Sequence, residues 1–518
     1  MCIYYHLWCY NGIMSKHNEK IGHLISRIRQ ERGLTQAEFA RRMGTSQSAI
    51  NRIEQGKQNL SLETIARISS ALGKDIISLN PKVLNFEING GKELHGEIEM
   101  KSSKNATVAI LAGSLLNKGV TVIENAPRIE EVFRLLEVLE SLGVQVRWIR
   151  DKDLEIKPPE TLQFNNINAE AATKTRSIIM FIGSMMHYSN KFSIPFAGGC
   201  HLGKRSVFAH KEALEKFGVN IEVENNQYVI NVQKKQPGTF TMHEMSDTAT
   251  ENALLAAAMT QGKTTIRFAS SNYMVQDLCL FLQKLGVKID GVGTATLTVH
   301  GAEQINKRIK YHPAEDPLEA MLFIAIAAVT NSRITLRRCS IDFVELELLK
   351  LEKMGLRFDY SEVYPSYNGY TRLVDITTHH HEGLHALQDK LHPLPYPGIN
   401  IDNLPFFVPI AAIAEGETLV HDWVFEDRAI YFTELNKLGA KIRLLDPHRV
   451  MVDGPTPFRA AEVICPPALR PATIILAAML AAPGRSVLRN VYSINRGYES
   501  LAERLRSLGA DIHALHEL

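Results

Sequence analysis

The stretch LESLGVQV, at residues 139–146, joins the end of a helix to the start of a strand through a glycine. The same phrase recurs as LEKFGVNI at 214–221, LQKLGVKI at 282–289, LEKMGLRF at 351–358, LNKLGAKI at 435–442 and LRSLGADI at 505–512. Successive glycines lie 75, 68, 69, 84 and 70 residues apart. A glycine in this context is typical of the C′ position of a helix before a strand. The spacing predicts six copies of one mixed α/β unit of about seventy residues.

A second phrase recurs shortly before most of these helix-to-strand junctions. The copies are GVTVIENAPR at 119–128, GKTTIRFASS at 262–271, NSRITLRRCS at 331–340, GETLVHDWVF at 416–425 and GRSVLRNVYS at 484–493. Each predicts a turn, a half-buried strand and the entry to a helix. A period above about fifty residues argues against the common solenoids, but the spacing alone leaves one large array and two bodies of three units both open.

Composition bounds the class of protein. The 518 residues exceed what one hydrophobic core supports and favour about three domains. A hydrophobic content of 45% excludes wholesale disorder, and a net charge of only +2 argues against a chain-wide polyanion binder. The six cysteines form no CxxC pair, and the longest apolar runs are about half a membrane span. We therefore expect a cytoplasmic protein without a membrane segment or a cysteine-rich zinc site.

The charge is divided unevenly along the chain. Residues 14–79 carry eleven basic and six acidic side chains, a net charge of +5, whereas the remainder carries 47 and 50, a net charge of −3. The first thirteen residues lack the features of a signal peptide, so we expect translation to start at Met14, with a short disordered tail as the alternative. The basic charge is thus concentrated in one small module, residues 14–79, followed by a linker at 80–84.

This module is predicted to be all α-helical. Thr35 and Glu38 form a capping-box pattern at the start of one helix, Gly44 ends that helix, and Ser46 can cap the next. Two helices joined by a glycine turn form a helix-turn-helix, whose second helix can enter the major groove of DNA.

The module resembles the phage-repressor and Cro-like helix-turn-helix family over the stretch RIRQERGLTQAEFARRMGTSQSAINRIEQGKQNLSLETIARISSALG. The resemblance implies DNA binding, with a homodimer on DNA as a further expectation. The predicted DNA-contacting residues are Gln36, Gln47, Ser48, Asn51 and Arg52. The alternative is a module used only for protein contacts.

Five further stretches carry a second resemblance. They are GGKELHGEIEMKSSKNATVAILAGSLL at 90–116, FAGGCHLGKRSVFAH at 196–210, PYPGINID at 395–402, VFEDR at 424–428 and INRGYESLAERLRSLGADI at 494–512. They are similar, in this order, to the enolpyruvyl transferases, and Lys104 with Asn105 points to the UDP-N-acetylglucosamine branch of that family. The implied fold is two inside-out α/β barrels of three units each, residues 85–103 with 315–518 and residues 104–314, after the all-α module. Substrates are expected in the cleft between the barrels.

The resemblance also implies the chemistry. Transfer of an enolpyruvyl group from phosphoenolpyruvate to a hydroxyl needs cations for a phosphate and a carboxylate, a proton donor and a base, and arginine suits both anions because its planar fork binds them bidentately. Cys200 matches the proton donor and Asp402 the base, while Lys104 and Arg496 complete the predicted catalytic set. The predicted substrate-binding residues are Lys104, Asn105, Arg176, Arg205, Ser206, Val207, Ser246, Asp402, Val424, Arg428, Arg470 and Arg496. No metal or organic cofactor is implied, and the histidines at 379–381 are interpreted as a loop.

Three positions depart from the family pattern on the side of the uridine nucleotide. Phe208 and Ala468 replace carboxylates, and Glu244 replaces a lysine, which would bring negative charge towards an approaching diphosphate. The leading hypothesis remains an enolpyruvyl transferase acting on phosphoenolpyruvate and UDP-N-acetylglucosamine. One alternative is a transferase with another hydroxylated or nucleotide acceptor, and the other is a ligand-sensing transcriptional regulator built on an inactive enzyme body.

Overall fold

A computed structural model describes residues 22, 25, 26, 29, 34–58, 64, 67, 68, 84–196 and 207–516. The chain divides into two compact units, Met1–Leu84 with Leu515–Leu518, and Asn85–Ala514. The predicted start at Met14, most of the linker, and the predicted site residues Cys200, Arg205 and Ser206 lie outside the described residues.

The helix-turn-helix occupies the amino-terminal unit. Its two helices are α1, Gln36–Met43, and α2, Gln47–Glu54. The predicted capping box is confirmed, because Thr35 Oγ1 accepts from the backbone N–H of Glu38 at 3.2 Å and Glu38 Oε2 accepts from the backbone N–H of Thr35 at 2.8 Å. Gly44 ends α1 with a φ of 61°, as the turn requires, and Ser46 caps α2.

Apolar side chains at helical spacing close the core of this unit. Phe39 and Ile50 are fully buried and pack with Ile25 and Ile68. Beside them, Arg29 Nε donates to Glu54 Oε1 at 2.6 Å in a buried ion pair. Burial of the pair is offset by its hydrogen bonds, so the helices are locked together by both apolar and charged contacts.

The larger unit alternates helices and strands throughout. Its α-helices are α3 Lys104–Ser114, α4 Glu130–Ser141, α5 Ala169–Thr173, α6 Ile182–Met185, α7 Phe208–Glu215, α8 Asp247–Ala258, α9 Tyr273–Leu285, α10 Pro317–Val329, α11 Glu345–Lys353, α12 Phe407–Ile413, α13 Leu469–Ala481, α14 Tyr492–Asn495 and α15 Leu501–Ser507. Short 3₁₀ helices cover Phe164–Asn166, Ser177–Phe181, Ile341–Phe343, Leu404–Phe406 and Ala429–Leu438.

The strands form six small sheets, in the described part of the chain, in agreement with six repeated units. In chain order the strands are β1 Leu84–Gly90, β2 His95–Glu99, β3 Val120–Ile123, β4 Gln145–Ile149, β5 Asp153–Lys157, β6 Lys191–Pro195, β7 Val219–Glu224, β8 Gln227–Val232, β9 Thr239–Thr241, β10 Gly262–Arg267, β11 Lys288–Asp290, β12 Thr296–Gly301, β13 Arg308–Tyr311, β14 Arg333–Ser340, β15 Phe358–Tyr360, β16 Tyr364–Pro365, β17 Arg372–Thr378, β18 Leu384–His385, β19 Ala414–His421, β20 Lys441–Asp446, β21 Arg449–Gly454, β22 Glu462–Ile464, β23 Gly484–Arg489 and β24 Asp511–His516. Three sheets have the orders β13-β3-β5-β4, β6-β8-β7 and β11-β12-β10-β9. The other three are β15-β17-β14-β2, with β16 beside β17, then β18-β19-β21-β20 and β22-β23-β1-β24.

The six predicted helix-ending glycines explain how each helix turns into its strand. Gly143, Gly218, Gly286, Gly355, Gly439 and Gly509 all have positive φ, between 77° and 107°. A side chain would be strained in that backbone conformation, so the glycine of each repeat is required by the turn itself. The predicted glycine turn between helix and strand is therefore present at every copy.

Helices lie inside and sheets outside in each half of this unit. Helices α3, α8 and α9 pack against one another in one half, and α10, α12 and α13 do so in the other. Every residue of α10 is buried, as expected for a helix that is apolar on all sides. The predicted inside-out α/β arrangement is therefore confirmed. The longest such helices have 13 residues, and no helix in the described ranges is long and apolar enough to cross a membrane.

Two segments of the chain cross from one half to the other, and their backbones are hydrogen-bonded to each other. The backbone N–H of Ser103 donates to Ala314 O at 2.7 Å, and that of Asp316 donates to Lys101 O at 2.8 Å. Strands β3 to β13 belong to one set of sheets, and the strands before and after them belong to the other. This pairing places the start of α3 at the junction of the halves, where the functional site is found.

Candidate active site

A cavity of about 910 Å³ lies between the two halves of the larger unit. Nine of the predicted site residues line it: Lys104, Asn105, Arg176, Ser246, Asp402, Val424, Arg428, Arg470 and Arg496. Val207 does not line the cavity and packs instead against the apolar core of its own half. Residues separated by up to about four hundred positions are thus brought to one site by the way the two halves meet.

Lys104 and Arg496 face one buried carboxylate. Lys104 is the first residue of α3, whose N-cap is Ser103, and its Nζ lies 3.2 Å from Glu131 Oε2. Arg496 Nε lies 3.8 Å from the same oxygen. Burial alone would raise the pKa of Glu131, but the two cations and a hydrogen bond from Ser177 outweigh it and lower the pKa to about 2. The carboxylate is therefore ionised throughout the neutral range.

Asp402 lies between two arginines. Arg428 Nη1 is 3.4 Å from Asp402 Oδ1, and Arg470 Nη2 is 3.5 Å from Asp402 Oδ2. The backbone N–H of Asp402 donates to Asn400 Oδ1 at 2.9 Å, which fixes the turn that carries the carboxylate. The side chain keeps 29% of its surface exposed. A partly exposed, oriented carboxylate is suited to accept a proton from a bound hydroxyl.

The two arginines beside Asp402 are themselves buried and held in place. Arg428 Nε donates to buried Asp422 at 2.5 Å, and its Nη2 donates to Ile401 O at 2.6 Å. Arg470 Nη1 donates to the Tyr498 hydroxyl at 2.5 Å. Burial lowers the pKa of Arg470, but the fields of Tyr498 and Asp402 outweigh this effect and raise the pKa. Both guanidinium groups are therefore fixed beside Asp402.

Arg176 adjoins a neutral histidine. Asn252 accepts from the backbone N–H of Gly183 through Oδ1, at 2.7 Å, so its Nδ2 donates to His210 Nδ1 at 3.1 Å. The imidazole proton then lies on Nε2, which donates to Thr248 Oγ1 at 3.1 Å. Burial, with a smaller effect from Arg176, lowers the pKa of His210 to about 3. Because His210 is neutral, the positive charge on this side of the cavity comes from Arg176.

Exposed aromatic and acidic side chains surround the opening of the cavity. We call His243, Glu244, Phe268 and Trp423, all of which line it and are exposed, the outer rim. Phe208 meets the His243 ring edge-on, with ring centroids 4.9 Å apart, and Trp423 Nε1 donates to Pro393 O at 2.8 Å. Phe268 has a φ of 57°, an unusual conformation for an aromatic residue that is often retained at functional sites.

Two predicted polar residues at the cavity have local structural partners. Ser246 is the N-cap of α8, and its Oγ accepts from the backbone N–H of Ala249 at 3.4 Å. Asn105 Nδ2 donates to the Tyr273 hydroxyl at 3.3 Å. Ala468, one of the departures from the family pattern, is the N-cap of α13 and provides no side-chain cap. Its methyl group leaves the start of that helix without a carboxylate.

In the amino-terminal unit, four predicted DNA-contacting residues are exposed on α2: Gln47, Ser48, Asn51 and Arg52. Asn51 Oδ1 accepts from Gln55 Nε2 at 3.2 Å. Gln36, on α1, donates through Nε2 to Glu54 Oε2 at 2.8 Å. The exposed surface of α2 is thus polar and carries a single cation, while Gln36 also joins the two helices.

Known families match both units. The family described as EPSP synthase (3-phosphoshikimate 1-carboxyvinyltransferase) matches residues 88–505, and a helix-turn-helix family matches residues 25–79. A UDP-N-acetylglucosamine 1-carboxyvinyltransferase from Treponema denticola is 33% identical over 429 residues, which cover 82% of this chain and 98% of the relative. One from Campylobacter hominis is 30% identical over 438 residues, covering 83% and 99%. This chain belongs to the enolpyruvyl transferase family.

Solved enolpyruvyl transferase structures share the fold of the larger unit. The enolpyruvyl transferase NikO from Streptomyces tendae superposes with a TM-score of 0.72 at 24% identity, covering 85% of this chain and all of that one. EPSP synthase from Acinetobacter baumannii gives a TM-score of 0.65 at 17% identity, covering 83% of this chain and all of that one. The fold predicted from the sequence is confirmed by these likenesses.

The cavity also contains residues that the sequence motifs did not reveal. Glu131 lies in the stretch PRIEEVFRLL, at the amino end of α4, where an acidic residue is also explained by the helix dipole. Asp247 and Glu251 line the cavity from α8, and both carboxylate oxygens of Glu251 are buried with no hydrogen-bond partner among the described residues. In the sequence, Glu131 stands out only as an acidic residue among the apolar buried side chains of α4. That signal points to a functional site only when the positions of the opposing cations are known. Within the described ranges, no group of three or more side chains is arranged to hold a metal ion.

Proposed function

We propose that the protein transfers the enolpyruvyl group of phosphoenolpyruvate to the 3-hydroxyl of UDP-N-acetylglucosamine and releases inorganic phosphate, the first step of peptidoglycan precursor synthesis. The observation that carries the proposal is the convergence of Lys104, Arg470 and Arg496 on the cavity that holds Asp402. Fixed cations can bind the phosphate and the carboxylate of the donor, and the carboxylate of Asp402 can serve the acceptor hydroxyl. UDP-N-acetylglucosamine is proposed as the acceptor because the relatives from Treponema denticola and Campylobacter hominis are UDP-N-acetylglucosamine 1-carboxyvinyltransferases.

The chemistry proceeds by addition and elimination. Asp402 takes the proton of the acceptor hydroxyl as its oxygen forms a bond to C2 of phosphoenolpyruvate, while Cys200 protonates C3. The Cys200 thiolate then takes a proton back from C3, which restores the double bond as the bond between C2 and the phosphate oxygen breaks, and the proton held by Asp402 passes to the released phosphate. The products are the enolpyruvyl ether of the acceptor and inorganic phosphate, so no oxidant or reductant is needed. In this scheme Cys200 supplies an acid and Asp402 a base.

The other assigned residues bind and orient the two substrates. Lys104, Arg205 and Arg496 are assigned to the phosphate, and Arg176 is assigned to anionic groups of both substrates. The remaining proposed substrate contacts are Asn105, Ser206, Ser246, Val424, Arg428 and Arg470. Cations held by buried partners are suited to this role because they need little reorganisation when an anion arrives.

Phosphate release in the presence of both substrates tests the proposal. We expect turnover by the wild-type protein and a loss of about 10²–10⁴-fold in Asp402→Ala and in Cys200→Ser. Asp389→Ala, in which an exposed carboxylate outside the cavity is removed, is the matched control and should retain full activity. Wild-type protein that releases no phosphate with this acceptor, while binding phosphoenolpyruvate, would contradict the acceptor assignment.

The outer rim favours a second candidate acceptor. Glu244 is acidic and exposed at the opening, and the neighbouring Phe208 and His243 rings present aromatic surface. These side chains favour a hydroxylated acceptor with less negative charge than a nucleoside diphosphate sugar. Phosphate release that depends on Cys200 and occurs only with such an acceptor would support this candidate over the first.

We further propose that the amino-terminal unit binds DNA, as a homodimer, and that the protein acts in the cytoplasm. Support comes from the helix-turn-helix family match and from the net charge of +5 over residues 14–79. Gel-shift measurements with genomic fragments, with and without phosphoenolpyruvate, would test it. Substitution of Arg52 by alanine should weaken binding, and ligand-dependent binding by a protein without turnover would identify a regulator instead of an enzyme.

A further inference from the structure

We propose that Glu131 is a positioning residue of the phosphate subsite and serves as its internal counter-ion. In this role it holds Lys104 and Arg496 in place and at the same time limits how tightly phosphate is retained. The inference rests on the proposed function, because it takes these two cations as the groups that face the phosphate of the donor.

The two oxygens of Glu131 have different partners. Oε1 accepts from Ser177 Oγ at 2.7 Å and from Thr175 Oγ1 at 3.2 Å, which anchors the carboxylate to the protein. Oε2 lies 3.2 Å from Lys104 Nζ and 3.8 Å from Arg496 Nε. The side chain retains only 9% of its surface exposed. One oxygen is therefore fixed by hydroxyl groups, and the other fixes the two cations.

The phosphate subsite combines two positive charges, on Lys104 and Arg496, with the one negative charge of Glu131. Without Glu131, Lys104 and Arg496 would face the cavity as two neighbouring cations that repel each other. The carboxylate removes that repulsion before substrate binds, and the same negative charge then opposes an incoming phosphate. Glu131 thus prepares the cations for the reaction while it weakens retention of the released phosphate, a product that must leave before the next turnover.

Arg496 shows where the anion would bind. Its Nε is buried and, within the described part of the chain, has no hydrogen-bond acceptor, because Glu131 is too distant at 3.8 Å. A buried guanidinium N–H without an acceptor is costly unless a ligand supplies one. An oxygen of phosphate can satisfy it while Glu131 remains on its hydroxyl anchors, so the cations can bind the ligand without releasing the carboxylate.

Calorimetric binding of inorganic phosphate separates this role from simple support of the fold. Because Glu131→Gln removes a nearby negative charge, we expect it to bind phosphate about tenfold more tightly than the wild type. The same variant should lose about 10²-fold in kcat, because Lys104 and Arg496 are no longer held by a shared anion. Glu130→Gln is the matched control, since the neighbouring carboxylate pairs with Arg134 at the surface, and it should change neither value.

Two further variants keep the test decisive. Glu131→Asp retains the charge, and Ser177→Ala retains it while loosening its anchor; both should keep the dissociation constant of phosphate within about threefold of the wild type and lower kcat by about tenfold. Phosphate that binds Glu131→Gln no more tightly than wild type would overturn the counter-ion role. A wild-type kcat in Ser177→Ala would overturn the positioning role. Tighter phosphate binding by Glu131→Gln, in a protein that never uses UDP-N-acetylglucosamine, would uphold the inference and reject only the proposed acceptor.

Discussion

The inner wall and the outer rim of the same cavity are built in opposite ways. The inner wall consists of Lys104, Glu131, Asp402, Arg428, Arg470 and Arg496, whose charges are paired with one another and largely buried. The outer rim is exposed, and its single carboxylate, Glu244, forms no ion pair with the residues that the structure describes. The inner wall is therefore fixed by its own charges, whereas the rim is free to differ.

This difference indicates that the donor half of the reaction is more constrained by the structure than the acceptor half. Chemistry on the donor requires cations in fixed positions, and each of them depends on a buried partner whose loss would be costly. Recognition of the acceptor can vary through exposed side chains, where a change of charge has a small energetic effect. Substitutions in the inner wall should therefore change stability and catalysis together, and substitutions in the rim should change the choice of acceptor.

The largest expected effect on stability comes from breaking the buried pair of Arg428 and Asp422. Arg428→Met should lower the free energy of unfolding by about 3–5 kcal/mol, because it leaves Asp422 as an uncompensated buried charge. Burial raises the pKa of Asp422 and Arg428 lowers it, so removal of the arginine should raise it further. The loss of stability should consequently be smaller at pH 5 than at pH 8, as measured by urea unfolding.

Arg443→Met is the exposed counterpart. Arg443 pairs with Glu417 at 2.8 Å and Asp453 at 3.2 Å on the surface of the same half. We expect its removal to lower the free energy of unfolding much less than the removal of Arg428, because exposed ion pairs contribute little to stability. Equal losses in the two variants would remove the distinction between the inner wall and exposed charge pairs.

The next effect depends on pH. The pKa of Glu131 in the folded protein is about 2, below its ordinary value of 4.5, so its charge stabilises the fold above pH 4.5 and this contribution disappears as the pH falls towards 2. Relative to Glu131→Gln, the wild type should lose about 2 kcal/mol of unfolding free energy between pH 7 and pH 3. Glu130→Gln should follow the wild type in the same measurement. A constant difference between wild type and Glu131→Gln across this range would show that the carboxylate is not stabilised by its cations.

The sequence predicts the repeated parts of this molecule well, for physical reasons. A helix that ends at Gly143 or Gly286 needs a positive φ, and the Thr35–Glu38 box satisfies backbone groups within four residues, so both signals are local. The closure into two sets of three units came from resemblance, because the spacing alone allowed other arrangements. The cavity-lining positions Lys104, Asp402 and Arg496 were likewise found through motifs.

Glu131 and Phe268 could not be found in this way. The carboxylate acquires its role only when Lys104 and Arg496, distant in sequence, are brought to it by the meeting of the two halves. Phe268 follows β10, and it adopts its positive φ at a position where the sequence shows neither glycine nor asparagine. The ion pairs of Glu131 form only when distant segments meet in the tertiary structure, so local sequence patterns cannot predict them.

The smallest predicted effect belongs to the rim and tests it directly. Glu244→Lys reverses an exposed charge at the opening of the cavity, so a diphosphate acceptor should approach more easily. We expect the KM for UDP-N-acetylglucosamine to fall about fivefold, equivalent to about 1 kcal/mol, with kcat unchanged, because exposed charges interact weakly. Steady-state phosphate release at two ionic strengths measures it, and the gain should shrink at high salt.

Glu224→Lys provides the control for this charge reversal, since Glu224 is exposed at the end of β7 and does not line the cavity. It changes the net charge by the same amount and should leave KM unaltered. If Glu244→Lys lowered kcat instead of KM, the rim would take part in the reaction itself, and its separation from the inner wall would fail. A fall in KM confined to Glu244→Lys would place the discrimination among acceptors at the rim, where one side chain can alter it without disturbing the buried charges.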